Sequence, residues 1–170
     1  IFRSIRARTP WLFITLIGEF IAVNVGNHFD HTLQALPIIA IFMPLLAGLG
    51  GNIGTQSITL MVRGLSTGQV TLSSALHHIL REACIGLFIG TIFGMIVTLV
   101  CWGWQHSKVL GAVVGLAMAI NMTIATIIGT FTPFALKAMK VDPAGASGPV
   151  IATTIDVLGL AIYFTLVSTF

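Results

Sequence analysis

The chain has 170 residues, 56% of them hydrophobic and only 8% charged, whereas a soluble domain carries about 25% charged residues. That balance excludes an ordinary water-soluble domain. The formal net charge of +3, from 8 Lys+Arg against 5 Asp+Glu, bears on membrane topology, and no basic nucleic-acid patch is present.

Five apolar stretches are long enough to cross a hydrocarbon core of about 30 Å, at 10–28, 33–62, 82–104, 109–136 and 144–169. They predict an all-α membrane protein with five transmembrane helices per protomer. Ile1 stands first instead of Met, with arginines close behind, which suggests a piece of a longer protein and not a cleaved secretory signal. The first span carries Glu19 at its middle, and the loop after it, with His28, Asp30 and His31, is expected to be simply solvated.

The second span is rich in Pro and Gly, with Pro37, Pro44, Gly48, Gly50, Gly51 and Gly54, and a break or kink is expected near Gly50 and Gly51. Irregular backbone at membrane depth is tolerated only where it is buried in protein or lines a wet cavity. The plainer alternative is a proline kink for packing. On the same span Asn52, Thr55, Gln56 and Thr59 repeat at i, i+3, i+4 and i+7, a polar stripe facing either a wet path or another polar helix. A polar, short-helix-like segment follows over 64–79, with Ser66 and Thr71 as candidate caps. Its adjacent His77 and His78 do not share a helix face, so a metal site there is not expected.

Arg81 and Glu82, at the start of the third span, read as interfacial anchors. Gly86, Gly90 and Gly94, then Gly111 and Gly115 in the fourth span, are spaced at i, i+4, the small-residue ridge along which membrane helices approach closely. Cys84 and Cys101 are expected to be packing residues. Before the fifth span, residues 142–149 hold a poor helix former at almost every other position, which predicts an open, kinkable entrance. Asp156 lies about halfway along that span, with Ala152, Thr153, Gly159 and Leu160 as its helical neighbours.

Arg3, Arg6, Arg8, Arg63, Arg81, Lys137 and Lys140 all fall on one side of this arrangement, and only Lys108 on the other. By the positive-inside rule the N-terminus is cytoplasmic and the C-terminus outside. Trp11, Trp102 and Trp104 lie near span ends, where indoles favour the headgroup level.

An ionised side chain at the bilayer centre costs at least about 2.5 kcal/mol, so Asp156 needs a reason to be there. Together with the polar stripe it supplies oxygens without thiolates or a convergent histidine set, which favours a hard cation over zinc or copper. Composition alone leaves Mg²⁺, Na⁺ and H⁺ open. The sequence has no H-E-x-x-H or G-x-S-x-G motif, so an enzyme is not expected. A non-conducting assembly subunit would explain the glycine ridges but not Asp156. Five spans would struggle to enclose a pore alone, which makes a dimer with a pathway between protomers the natural arrangement.

The run from Pro44 to Ser57, PLLAGLGGNIGTQS, followed by Val62-Arg63-Gly64-Leu65, resembles the second transmembrane segment of MgtE-type magnesium channels. Residues 142–149, DPAGASGP, then Thr153-Thr154-Ile155-Asp156-Val157-Leu158-Gly159, resemble the final segment of the same family. The resemblance implies a homodimer with a pore at its interface, lined by spans two and five and passing hydrated Mg²⁺ down its electrochemical gradient through a plasma (inner) membrane. It places Asp156 and the carbonyls of Ala152 and Gly159 toward the ion, Thr55 and Thr59 along the pore, and Asn52 in support of the glycine-rich break. Gly148 stands where the family often has another residue. Residues 1–9 are then expected to be a cytoplasmic connecting segment and 10–170 the pore domain, with upstream cytosolic regulatory domains absent from this chain. An exchanger coupled to Na⁺ or H⁺ is the alternative mechanism.

Overall fold

The computed structural model describes residues 2–169; the side chains at positions 3, 4, 7, 8, 144–147, 149 and 150 lie outside that description. Arg3 and Arg8 of the expected charged end, and Ala144, Gly145, Ala146, Ser147 and Pro149 of the expected entrance, therefore have no described side chain. Among the described residues there is no strand. Six α-helices follow in order: α1 Phe2–His28, α2 Asp30–Ala35, α3 Met43–Ser66, α4 Ala75–Gln105, α5 Lys108–Ala138 and α6 Pro143–Thr169. Short 3₁₀ turns at Pro37–Phe42 and Leu72–Ser74 lead into α3 and α4.

Five segments are long and apolar enough to cross a membrane: Thr9–His28, Pro37–Ser66, Leu72–Gln105, Lys108–Ala138 and Ile151–Thr169. The second starts four residues later than the sequence predicts, because Asp30–Ala35 folds as a separate short helix. The third starts ten residues earlier. A capping box, in which Thr71 and Ser74 each bond the other's backbone, starts the helix, and Val70 beside it packs into the notch at Gly64. His77 and His78 therefore belong to the long helix α4 and not to a separate short helix. Ser66 is no cap: its hydroxyl donates to the Val62 carbonyl at 2.8 Å.

Helix α5 is the centre of the bundle and packs on α3, α4 and α6, while α1 packs mainly on α6. Of the most apolar stretch of α5, 56% is buried, against 11% for α1, so most of α1 faces outward. Membrane helices gain little from hiding apolar surface from lipid, and close van der Waals packing decides which faces meet. The glycine ridges do this between α4 and α5: Gly94 meets the backbone of Gly115, Gly90 that of Ala119, and Gly111 the Thr98 carbonyl. The hairpin joining these helices is set by His106, in the left-handed region at φ 54°, and by Ser107, whose side chain caps α5 by accepting from the Leu110 N–H at 3.3 Å. Both cysteines are free thiols, Cys101 buried in the core and Cys84 exposed.

The expected break at Gly50 and Gly51 is absent, and α3 runs unbroken from Met43 to Ser66. The irregular backbone lies earlier, in the 3₁₀ turn at Pro37–Phe42. Gly50 and Gly54 serve close packing, since a Cβ at either would run into Ile155 of α6. Buried Tyr163 fixes the irregular turn by donating to the Ile39 carbonyl at 2.8 Å.

Candidate cation-permeation site

Helix α3 has two unlike faces. Leu46, Gly50, Ile53, Gly54, Ser57, Ile58 and Met61 are buried against the bundle. Asn52, Thr55, Gln56 and Thr59 are exposed on the single chain, and the Cα atoms of Gly48 and Gly51 face open space. The polar stripe is thus turned away from the protomer's own core.

The two threonines of the stripe orient their hydroxyls alike. Thr55 Oγ1 donates to the Gly51 carbonyl at 2.8 Å, and Thr59 Oγ1 donates to the Thr55 carbonyl at 2.8 Å. Each hydroxyl proton is used by its own helix, which leaves the oxygen lone pairs as acceptors. Hydroxyl oxygens left as acceptors, beside the amide oxygens of Asn52 and Gln56, suit the water shell of a cation. Thr55, Gln56, Thr59 and Leu60 border one open recess of about 400 Å³.

Helix α6 carries the other half of the site. Ile155 fills the notch at Gly50 and Gly54, so Asp156, the next residue and about 100° further round the helix, points away from that contact. Asp156 is half-buried, and its carboxyl lies within hydrogen-bonding range of the Glu19 carboxyl on α1. Thr153, one turn earlier, covers Gly18, where a Cβ would collide with its side chain. The Thr153 hydroxyl is buried with no hydrogen-bond partner among the described residues. Glu19 also borders a cleft of about 320 Å³ together with Asn27 and Asp30. Glu19 therefore meets Asp156 on one side and shares a cleft with Asp30 on the other.

Ala152 is half-buried on α6, and Gly159 is buried, its Cα facing the Asn121 side chain of α5. Within one chain, Asp156 is brought to Glu19, and the threonine stripe borders a separate recess. Among the described residues no group of three or more His, Cys, Asp or Glu side chains forms a metal-binding cluster.

Two polar residues that position these elements were given no role by the sequence pattern. Asn121, 1% exposed, donates from Nδ2 to the Leu46 carbonyl at 2.9 Å and lies between Gly50 of α3 and Gly159 of α6. Ser57 donates to Glu82 Oε2 at 2.9 Å. Glu82 is therefore a buried partner of α3 and not the interfacial anchor expected of it; Arg81 beside it is exposed. A mid-span asparagine, like a mid-span carboxylate, is a usable signal, since buried polar groups in a bilayer need partners.

The fold and the site define an integral membrane protein: a helical bundle with an open polar face on one apolar span and an acidic side chain halfway along another. Residues 43–166 match the MgtE family, described as a divalent cation transporter. The chain belongs to that family. It is 37% identical over 163 residues to the magnesium transporter MgtE of Bacillus subtilis, 34% over 163 residues to that of Enterococcus faecalis, and 33% over 159 residues to that of Thermus thermophilus. These alignments cover 94–96% of this chain but 35–36% of the relatives, so the chain spans about a third of their length.

Proposed function

We propose that residues 10–170 form a pore domain that passes hydrated Mg²⁺ across a plasma (inner) membrane as a homodimer, with residues 1–9 as a cytoplasmic connecting segment. The exposed acceptor face of α3 carries the reading. A stripe of amide and hydroxyl oxygens is costly against lipid, and pairing two copies across it encloses a polar path that one copy leaves open. Asp156 and the carbonyls of Ala152 and Gly159 attract the ion from α6. Thr55 and Thr59 accept hydrogen bonds from its water shell along α3, and Asn52 supports the glycine-rich turn beside them.

The cation-rich end faces the cytoplasm, with the C-terminus outside. An inside-negative potential then favours inward movement by about 2.3 kcal/mol per charge per 100 mV. Mg²⁺ sheds its water reluctantly, and the Asp156 and Glu19 carboxyls with neutral oxygens along α3 are too few for a full cage, which suits an ion that keeps its shell.

One observation supports a second reading. The Glu19 and Asp156 carboxyls lie side by side, and such a pair is relieved by a shared proton as well as by a cation, which would suit exchange with H⁺. Mg²⁺ uptake into proteoliposomes under an imposed potential, with and without a pH gradient, separates the two. Uptake driven by potential alone and lost in Asp156→Asn is the expected result. Uptake indifferent to potential but driven by a pH gradient would establish exchange, and uptake unaffected by Asp156→Asn would remove the ion from this site.

A further inference from the structure

At the cation-rich end of the bundle a cavity of about 350 Å³ lies between the end of α3 and the start of α4, bordered by Arg63, Gln69, His78, Arg81, Glu82 and Leu60. Both arginines are exposed, and among the described residues neither guanidinium has a hydrogen-bond or ion-pair partner. Two other charged groups nearby are occupied. Glu82 is buried and receives the Ser57 hydroxyl, and Lys137 at the same end donates to the Leu65 carbonyl at 3.1 Å. The His78 ring is held in the cavity wall by stacking on Phe134, with centroids 6.4 Å apart and planes 29° apart.

We propose that this cavity binds the phosphate of an anionic membrane phospholipid between the Arg63 and Arg81 guanidinium groups. Guanidinium forks match phosphate oxygens in pairs, and basic pockets between membrane helices on the cytoplasmic side recognise acidic headgroups. Gln69 and His78 add hydrogen-bonding groups to the rim. A lipid is the fitting source of the phosphate because the cavity opens at the end of apolar spans. Leu60, one turn deeper on α3, forms the apolar edge of the cavity below the phosphate position. Glu82 at the floor is engaged by Ser57 and keeps the phosphate toward the mouth.

The test titrates the full chain, in a neutral detergent, with phosphatidylglycerol, phosphatidylcholine or inorganic phosphate and follows retained ligand by native mass spectrometry. Phosphatidylglycerol is expected to bind more tightly than phosphatidylcholine. Arg63→Gln with Arg81→Gln is expected to weaken it by about fivefold per residue, about 25-fold together. The matched control, Arg6→Gln with Lys140→Gln, removes the same charge from the same end outside the cavity and should leave binding near the wild-type value. An equal loss in that control would assign the effect to overall charge and overturn the site. Displacement of the lipid by millimolar inorganic phosphate would make it a site for free phosphate, and equal binding of phosphatidylcholine would remove the anionic selection. Should the double glutamine variant lose its folded size-exclusion profile, Arg63→Lys with Arg81→Lys keeps both charges but not the planar fork. A weakened phosphatidylglycerol complex there supports the paired-guanidinium site, and unchanged binding overturns it.

Discussion

Asn121 links the two helices of the candidate site, and the link can be tested at Gly159. A Cβ placed on Gly159 would lie 2.7 Å from Asn121 Oδ1 and 3.1 Å from its Cγ and Nδ2, tighter than ordinary van der Waals contact. The amide cannot retreat. Its far side is closed by Gly50, where a Cβ would stand 2.6 Å from Nδ2, and Nδ2 is tied to the Leu46 carbonyl at 2.9 Å. Gly159→Ala must therefore push α6 away from α5. Overpacking of this kind costs about 1–3 kcal/mol, partly offset by the helix preference of Ala over Gly, about 0.8–1.0 kcal/mol. The net expectation is a loss of up to about 2 kcal/mol, against about 0.6 kcal/mol for the average membrane side-chain hydrogen bond. In an Asn121→Ala background the obstructing amide is gone, and Gly159→Ala becomes neutral or stabilising. The assay is a double-mutant cycle of unfolding in mixed micelles titrated with dodecyl sulfate, followed by circular dichroism. Two substitutions that add within about 0.5 kcal/mol would refute the argument, because the cost of Gly159→Ala would then not come from Asn121.

Ser57→Ala removes the donor to the buried Glu82 carboxyl, a loss of about 1–3 kcal/mol for an unsatisfied buried group. It should appear in the same titration, while Glu82→Gln in the Ser57→Ala chain recovers part of the loss. Tyr163→Phe deletes the bond to the Ile39 carbonyl and should destabilise by about 1 kcal/mol. Faster hydrogen exchange in the Pro37–Phe42 turn, with α5 unchanged, would locate that effect. Glu19→Gln keeps the shape of the side chain beside Asp156 and removes its charge. Apparent Mg²⁺ affinity in the proteoliposome assay should fall several-fold with maximal flux changed less, and an unaltered concentration dependence would separate Glu19 from the ion path.

The sequence alone determined the membrane class, the number of spans, the small-residue ridges on α4 and α5, and the family. Each of these is a property of one segment. Apolar length and the i, i+4 spacing of Gly86, Gly90 and Gly94 are legible without knowing what the segment touches, and the cost of a charge at mid-span marks Asp156 in the same way. The polar stripe was legible as a stripe, but that it points out of the protomer was not.

Tertiary structure decided which partners these groups have. Gly50 and Gly51 look like a helix break in sequence because glycine weakens a helix, yet Gly50 and Gly54 are sites where Ile155 approaches, and the close packing holds α3 straight. Glu82 reads as an anchor beside Arg81 until Ser57, 25 residues away, is brought to it across two helices. Asn121 bonds a carbonyl 75 residues earlier in the chain, and Glu19 on the first span meets Asp156 on the last. Hydrophobic periodicity says which face of a helix is buried, but not which helix buries it. That choice rests on how closely particular backbones approach, and only the packed bundle settles it.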